Sequence, residues 1–170
     1  SKYGRTEMEE AWKSMEVDIL RRLHKVGIPV PTPYAFVEGV LLMELIKDSR
    51  GNPAPRLVDV RFSPKDAEQM LKTLVHYVAK TLCEGVVHGD LSDFNILIGT
   101  EGPIIIDFPQ ATDPANNNNA RKLLLRDVKN ITYFLGRFNR KLKKYRYGPE
   151  MWSLYENGKL TPETKLTGRF

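Results

Sequence analysis

Polar and apolar positions fall into blocks with two different periods. Over residues 6–25, Trp12, Met15, Ile19, Leu20 and Leu23 recur at three- and four-residue spacing, which predicts a helix with one buried face. Gly27 and the three prolines of "VGIPVPTP" (26–33) stop that helix and force an extended path. "YAFVEGVLLMELI" (34–46) reads as two strands joined at Glu38-Gly39, and the nearly unbroken apolar run "VLLMELI" predicts a strand buried on both faces. Gly and Pro mark 47–56 as a loop. A long helix follows, with Ser63 as N-cap, Pro64 at the first helical position, Asp66 completing a capping box, and Gly85 at its end. Its apolar stripe is Met70, Leu71, Leu74, Val75, Val78 and Leu82.

Short strands are expected at 86–87, 96–98 and 104–106, a loop over 108–119, and an amphipathic helix over 120–140. The Gly- and Pro-punctuated tail, 147–170, is expected to wrap the surface. Helix, strands, then mostly helices with a small hairpin is an α+β order.

The polar centre of "VVHGDLSDFNILI" (86–98) interrupts this picture, because it places His88, Asp90, Ser92, Asp93 and Asn95 between two buried runs. The "GTEGP" connection makes 96–98 and 104–106 an antiparallel hairpin. The residue before its first strand and the residue after its second then lie at one end. Asn95 and Asp107 should therefore be neighbours, with Asp90 and Ser92 on the loop entering the same end. Oxygen donors without a His/Cys set suit Mg²⁺ rather than zinc. D-x-x-x-x-N followed by a strand-terminal Asp is the arrangement kinases use for phosphoryl transfer. In that scheme Asp90 orients a hydroxyl and takes its proton, while Asn95 and Asp107 hold metal. His88 is expected to be structural, Ser92 to touch phosphate or cap the turn, and Asp93 to form a turn. Glu16 stands in an apolar helical stripe, so it needs a cationic or hydrogen-bonding partner; in kinases that partner is a lysine that contacts the phosphates.

Composition narrows the class. The chain has 170 residues, the size of one domain, with 41% apolar residues, enough for a core. No apolar run approaches a membrane span and no signal peptide is evident. The single cysteine, Cys83, excludes an internal disulfide, favours a reducing cytosol and is expected to be a core thiol. The net charge of +5 is concentrated in "GRFNRKLKKYRY" (136–147), whose basic segment 137–146 carries six cations and no acid. That segment is read either as a solvated helix end or, given Phe138, Tyr145 and Tyr147 between the charges, as a contact for RNA or another polyanion.

"HGDLSDFN" (88–95) and "IDFPQ" (106–110) resemble the RIO family of atypical protein kinases: Gly89, Ser92 and Pro109 stand where ordinary kinases have Arg, Lys and Gly. "AWKSMEVDILRRLHKVGIPVPTP", "LLMELI", "GNPAPRLVDV" and "LLLRDVKNITYFL" are similar to further parts of that family, so the resemblance spans roughly residues 5–138, and the tail looks like that of bacterial members. It implies a protein-kinase-like (RIO) fold, with 1–46 as a partial N-lobe reaching the hinge and 47–170 as the C-lobe. It also implies ATP, Mg²⁺ or Mn²⁺, and serine autophosphorylation or ATP hydrolysis in the cytoplasm, with Asp107 able to accept a phosphoryl group. Met43 would be the gatekeeper, and backbone groups of Glu44 and Ile46 would meet adenine. Eukaryotic and archaeal members act in small-subunit ribosome maturation, which suits the basic segment.

Two absences qualify this. No G-x-G-x-x-G and no V-A-I-K-like strand lysine precede the first helix, and Lys2 is poorly placed for that role, so the expectation is a fragment that lacks the front of the N-lobe and that alone binds ATP weakly and is weakly active or inactive. Only 63 residues follow Asp107 and no A-P-E occurs, which argues against conventional peptide phosphorylation. Two alternatives stay open: an aminoglycoside- or choline-type small-molecule phosphotransferase, which shares H-G-D-x-x-x-x-N, and a non-catalytic RNA- or ribosome-binding module.

Overall fold

A 24-residue helix, α1 (Lys2–Lys25), leads into an antiparallel ribbon of β1 (Pro33–Val37) and β2 (Val40–Met43) in a computed structural model that describes residues 2–170. In α1 the side chains of residues 2, 3, 5, 6, 9, 10, 12 and 13 are not described, so the expectations for Lys2 and Trp12 fall outside the described residues. The rest of the predicted face holds in part. Leu20 and Leu23 are buried and Ile19 packs beside them, whereas Met15 is exposed.

The expected two-sided burial of "VLLMELI" is corrected. Only Val40–Met43 is strand, and Val40, Leu42, Met43 and Leu45 are exposed, while Ile46 alone is buried. The reason is geometric: β1 and β2 form a two-stranded ribbon on which α1 packs, and Val40 and Leu42 point to a side that the described elements leave open.

A short 3₁₀ turn (Leu57–Asp59) precedes α2 (Pro64–Cys83). The Ser63 hydroxyl accepts the Asp66 N–H at 3.1 Å and donates to the Asp66 carboxylate at 2.7 Å, a variant of the capping box. The buried stripe of α2 matches the spacing, with Met70 only partly buried. Cys83 closes the helix half-buried, not in the core.

The hairpin β3 (Ile96–Gly99) and β4 (Gly102–Ile105) pairs Ile96 with Ile105 and Gly99 with Gly102. Two loops brace it: the Ile105 N–H donates to the Pro29 carbonyl at 2.9 Å and the Ile98 N–H to the Pro55 carbonyl at 2.8 Å. The "GIP" and "PAP" turns thus position the hairpin edges.

Helix α3 (Ala120–Leu135) ends five residues earlier than expected, and a 3₁₀ turn (Arg140–Lys144) follows. The tail is not purely irregular. It contains α4 (Tyr147–Glu156), which buries Tyr147, Met151 and Trp152 and packs on α3 and α2. Beyond it, Leu160 and Leu166 pack against the core, and Glu150 accepts the Thr167 and Gly168 N–H groups, so residues 157–170 do wrap the surface. Among the described residues no helix is long and apolar enough to cross a membrane.

Candidate active site

The site is assembled from the loop between α2 and β3, the end of β4, and one face of α3. Val87 anchors the loop entry by exchanging two 2.9 Å hydrogen bonds with Thr112. His88 is buried: its Nε2–H donates to the Ile106 carbonyl at 2.9 Å, and its Nδ1 accepts the Asp90 N–H at 3.2 Å. One neutral tautomer satisfies both bonds, and burial pushes the imidazole pKa down, which favours the same state. His88 is therefore structural, as its position between buried runs suggested.

Gly89 turns with φ +83°, and a Cβ there would lie 2.5 Å from the Gln110 carbonyl oxygen, so a larger residue cannot pass. Helix α3 holds the backbone on both sides of Asp90. The Asp127 carboxylate accepts the Gly89 N–H at 2.8 Å and the Leu91 N–H at 3.0 Å. The Arg126 guanidinium donates to the Gly89 carbonyl, and the Asn130 amide to the Leu91 carbonyl at 3.0 Å. Asp90 itself stays exposed between these fixed neighbours.

The hairpin brings the two chain segments together as its register requires. The Ile106 N–H donates to the Asn95 carbonyl at 3.0 Å, and the Asn95 side-chain amide donates to the Asp90 carbonyl at 2.6 Å. Asn95, Asp90 and Asp107 thus gather at one end of β3–β4. Asp107 sits in the left-handed region (φ +66°) and is exposed, while Phe108 beyond it is buried against the His88 ring, 4.7 Å between centroids. Asp is one of the few side chains that tolerate this conformation. Glu16 reaches across from α1 and accepts the Phe108 N–H at 3.2 Å. Its pKa is raised mainly by burial, against the pull of that N–H, with the nearby Asp107 charge adding to the rise. The partner that Glu16 needed is therefore a backbone amide.

Ser92 caps the turn: its hydroxyl accepts the Phe94 N–H at 3.2 Å and its carbonyl the Asn95 N–H at 3.1 Å. The Asp93 carbonyl receives the Val58 N–H at 3.0 Å, which ties the loop to the 3₁₀ turn.

A family model for the RIO domain matches residues 1–147. The chain belongs to the RIO family. Its fold is accordingly protein-kinase-like, of α+β class. Similar relatives include the serine/threonine-protein kinase RIO1 of Caenorhabditis elegans, 36% identical over 75% of this chain and 25% of that protein. The RIO-type serine/threonine-protein kinases Rio1 of Haloferax volcanii and Methanocaldococcus jannaschii are 33% and 36% identical over 79% and 80% of this chain, and 45% and 46% of theirs. The chain thus spans between a quarter and about half of the curated relatives it matches.

In this RIO chain the remaining sequence-picked residues line one cleft. Glu16, Met43, Glu44, Ile46, Leu97 and Asp107 line it together. The Glu44 carboxylate accepts both the N–H and the hydroxyl of Thr32 at 3.1 Å, and the Glu44 N–H donates to the Thr32 carbonyl at 2.8 Å. The Ile46 carbonyl receives the Ala54 N–H at 2.9 Å. Among the described residues no group of three His, Cys, Asp or Glu side chains forms a metal cage. One carboxylate and one amide is still a donor set that suits Mg²⁺, which fills its shell with water and phosphate oxygens.

Sequence reasoning missed Arg126, Asp127 and Asn130 as the side chains that hold the backbone around Asp90. A signal was present: Asp127 lies in the inward arc with Leu124, Val128 and Ile131, the same anomaly that singled out Glu16. The RNA-stacking role read into the aromatics of 136–147 is narrowed. Phe138 packs edge-on against Phe62 and Phe134, and Tyr147 is buried, so neither is free to stack. The six cations of 137–146 are all exposed.

Proposed function

We propose that the chain carries the Mg²⁺-dependent phosphoryl-transfer centre of a RIO-type kinase, taking the γ-phosphoryl group of ATP to a serine of the protein itself or to water. In this reading residues 1–46 form the N-lobe side of the cleft and 47–170 the C-lobe. Adenine lies against Met43, with the Glu44 carbonyl and the Ile46 N–H at its edge. Asp90 orients the attacking hydroxyl and accepts its proton. Asn95 and Asp107 are the residues that would hold the metal, and Asp107 is the carboxylate able to take a phosphoryl group. A bound Mg²⁺ supplies charge neutralisation at the β- and γ-phosphates. Glu16 orients the metal loop through the Phe108 N–H. Ser92 holds the turn and is the hydroxyl that would touch the same phosphates. The exposed cations of 137–146 are the contact for RNA or a ribosomal particle.

The observation that supports this reading best is the convergence of Asp90, Asn95 and Asp107 at one end of β3–β4 through the Ile106–Asn95 and Asn95–Asp90 bonds. Incubation with Mg²⁺ and γ-labelled ATP tests it. A low level of label on the protein, or of labelled free phosphate, is expected, and Asp90→Asn should remove it. Label that appears only on an added amino-sugar or choline, or turnover indifferent to Asp90→Asn, would sink the assignment.

A further inference from the structure

Helix α3 works on two sides. Arg126, Asp127 and Asn130 grip the catalytic loop, whereas Lys129 and Tyr133 turn toward a groove whose other wall carries Lys143 and Arg146. A second groove, bounded by Lys144, Arg169 and Phe170, shares Tyr145 and Arg146 with the first, so the two form one trough. It has no lining residue in common with the cleft between Met43 and Asp107.

The trough walls are held together by backbone contacts. The Arg146 N–H donates to the Gly168 carbonyl at 2.8 Å. Gly168 (φ +70°) lets the Tyr145 ring approach so closely that a Cβ there would lie 2.8 Å from it. No acid lines either groove. Glu150, the neighbouring acid on α4, is engaged by the Thr167 and Gly168 N–H groups. Among the described residues the one ion pair is Lys72–Glu68, so no carboxylate pairs with the trough cations. Two aromatic rings stand exposed among them: Tyr133 at 51% and Phe170 at 62%. Lys129 and Lys143 hold their ammonium groups 5.3 and 5.6 Å from the Tyr133 ring centre.

We infer that this trough binds a single strand of nucleic acid: the Lys129 and Lys143 ammonium groups leave the Tyr133 ring for the flanking phosphates, beside Arg146, as a base takes their place on that ring. Unneutralised cations alone would suit any polyanion. Exposed rings set between them suit a strand whose bases are unpaired, since every base has a face to stack and a phosphate on either side. An acidic peptide would draw Lys129 and Lys143 off the Tyr133 ring and offer neither exposed ring a replacement. The inference deepens the RNA contact proposed for 137–146 and moves its centre to α3 and the C-terminal segment. It is independent of the phosphoryl-transfer reading.

Fluorescence anisotropy of the 170-residue chain with a labelled unstructured RNA of about 16 nucleotides, titrated between about 50 and 200 mM salt, tests this. Tyr133→Ala should weaken binding roughly five-fold or more while Tyr133→Phe keeps it. Lys129→Gln with Lys143→Gln should weaken it further and flatten the salt dependence by about 1.4 in log–log slope, the release of two single-strand phosphate contacts. Arg21→Gln with Arg22→Gln, two exposed cations on α1, serves as the charge-matched control and should leave affinity within about two-fold. Melting curves confirm that each variant is folded, and ATP turnover should not change. Equal losses from the control pair, no loss from Tyr133→Ala, or equal competition by polyglutamate would overturn the trough as a nucleic-acid site. No binding at all would overturn the RNA contact as a whole and leave the kinase reading untouched.

Discussion

Asp127 and Gly89 lie 38 positions apart, yet the Asp127 carboxylate accepts the Gly89 N–H at 2.8 Å inside the protein. Its other oxygen takes the Leu91 N–H, so one buried side chain sets the backbone on both sides of Asp90. Asp127→Ala would leave two buried N–H donors without acceptors. A loss of roughly 3 kcal/mol or more is expected in urea denaturation, together with loss of phosphoryl transfer. A variant as stable and active as the parent would refute this anchoring role.

The same carboxylate predicts a pH dependence. Burial is the main cause that raises its pKa from 3.8 to about 6, against the two N–H donors and Arg126. A carboxyl raised on folding stabilises the fold while protonated. Its contribution is complete below about pH 4 and is lost as pH rises through about 6, a swing of about 3 kcal/mol. The stability of the parent minus that of Asp127→Asn should therefore fall over this window. Taking the difference cancels His88, whose lowered pKa acts in the opposite direction as pH falls below its ordinary value. A flat or rising difference counts against the prediction.

Gly89→Ala combines a positive φ with a Cβ 2.5 Å from the Gln110 carbonyl. Backbone strain of this kind costs about 1–3 kcal/mol, and relief requires moving the loop that carries Asp90. Thermal melting should show the loss, and turnover should fall more than the stability change explains. Full activity would mean that the loop relaxes without displacing Asp90.

Asp107→Asn separates chemistry from folding. Asparagine also accepts the left-handed conformation, and the side chain is exposed, so stability should stay within about 0.5 kcal/mol. Loss of the charge at the proposed metal position should reduce Mg²⁺-dependent turnover by roughly a hundred-fold or more. Unchanged turnover with unchanged Mg²⁺ dependence would remove Asp107 from the metal assignment.

Glu16→Gln keeps an acceptor for the Phe108 N–H and removes the repulsion with Asp107, whereas Glu16→Ala loses the bond. The raised Glu16 pKa means that its ionisation on going above the ordinary carboxylate range disfavours the fold. The Gln variant should therefore match or exceed the parent's stability at neutral pH, with the Ala variant below both. The reverse order in melting temperature would show that the carboxylate charge is itself stabilising.

Much of this was legible in the chain itself. The 3,4 periodicities located α1, α2 and most of α3, because a helix must bury one face. Gly- and Pro-bounded apolar runs located the hairpin, and its two-strand geometry alone placed Asn95 opposite Ile106, one residue from Asp107, at the same end. Local sequence could not supply partners distant along the chain. The grip of Asp127 on Gly89, the Phe108 N–H that answers Glu16, and the exposure of Leu42 and Leu45 each depend on what another element brings within a few ångströms. Nor could it separate the basic segment's aromatics: Phe138 and Tyr147 face the core, whereas Tyr133, which lies outside that segment, faces the trough. Periodicity and motif spacing are properties of one strand of chain. Burial, hydrogen-bond partners and charge neutralisation are properties of pairs, and pairs exist only once the chain has folded.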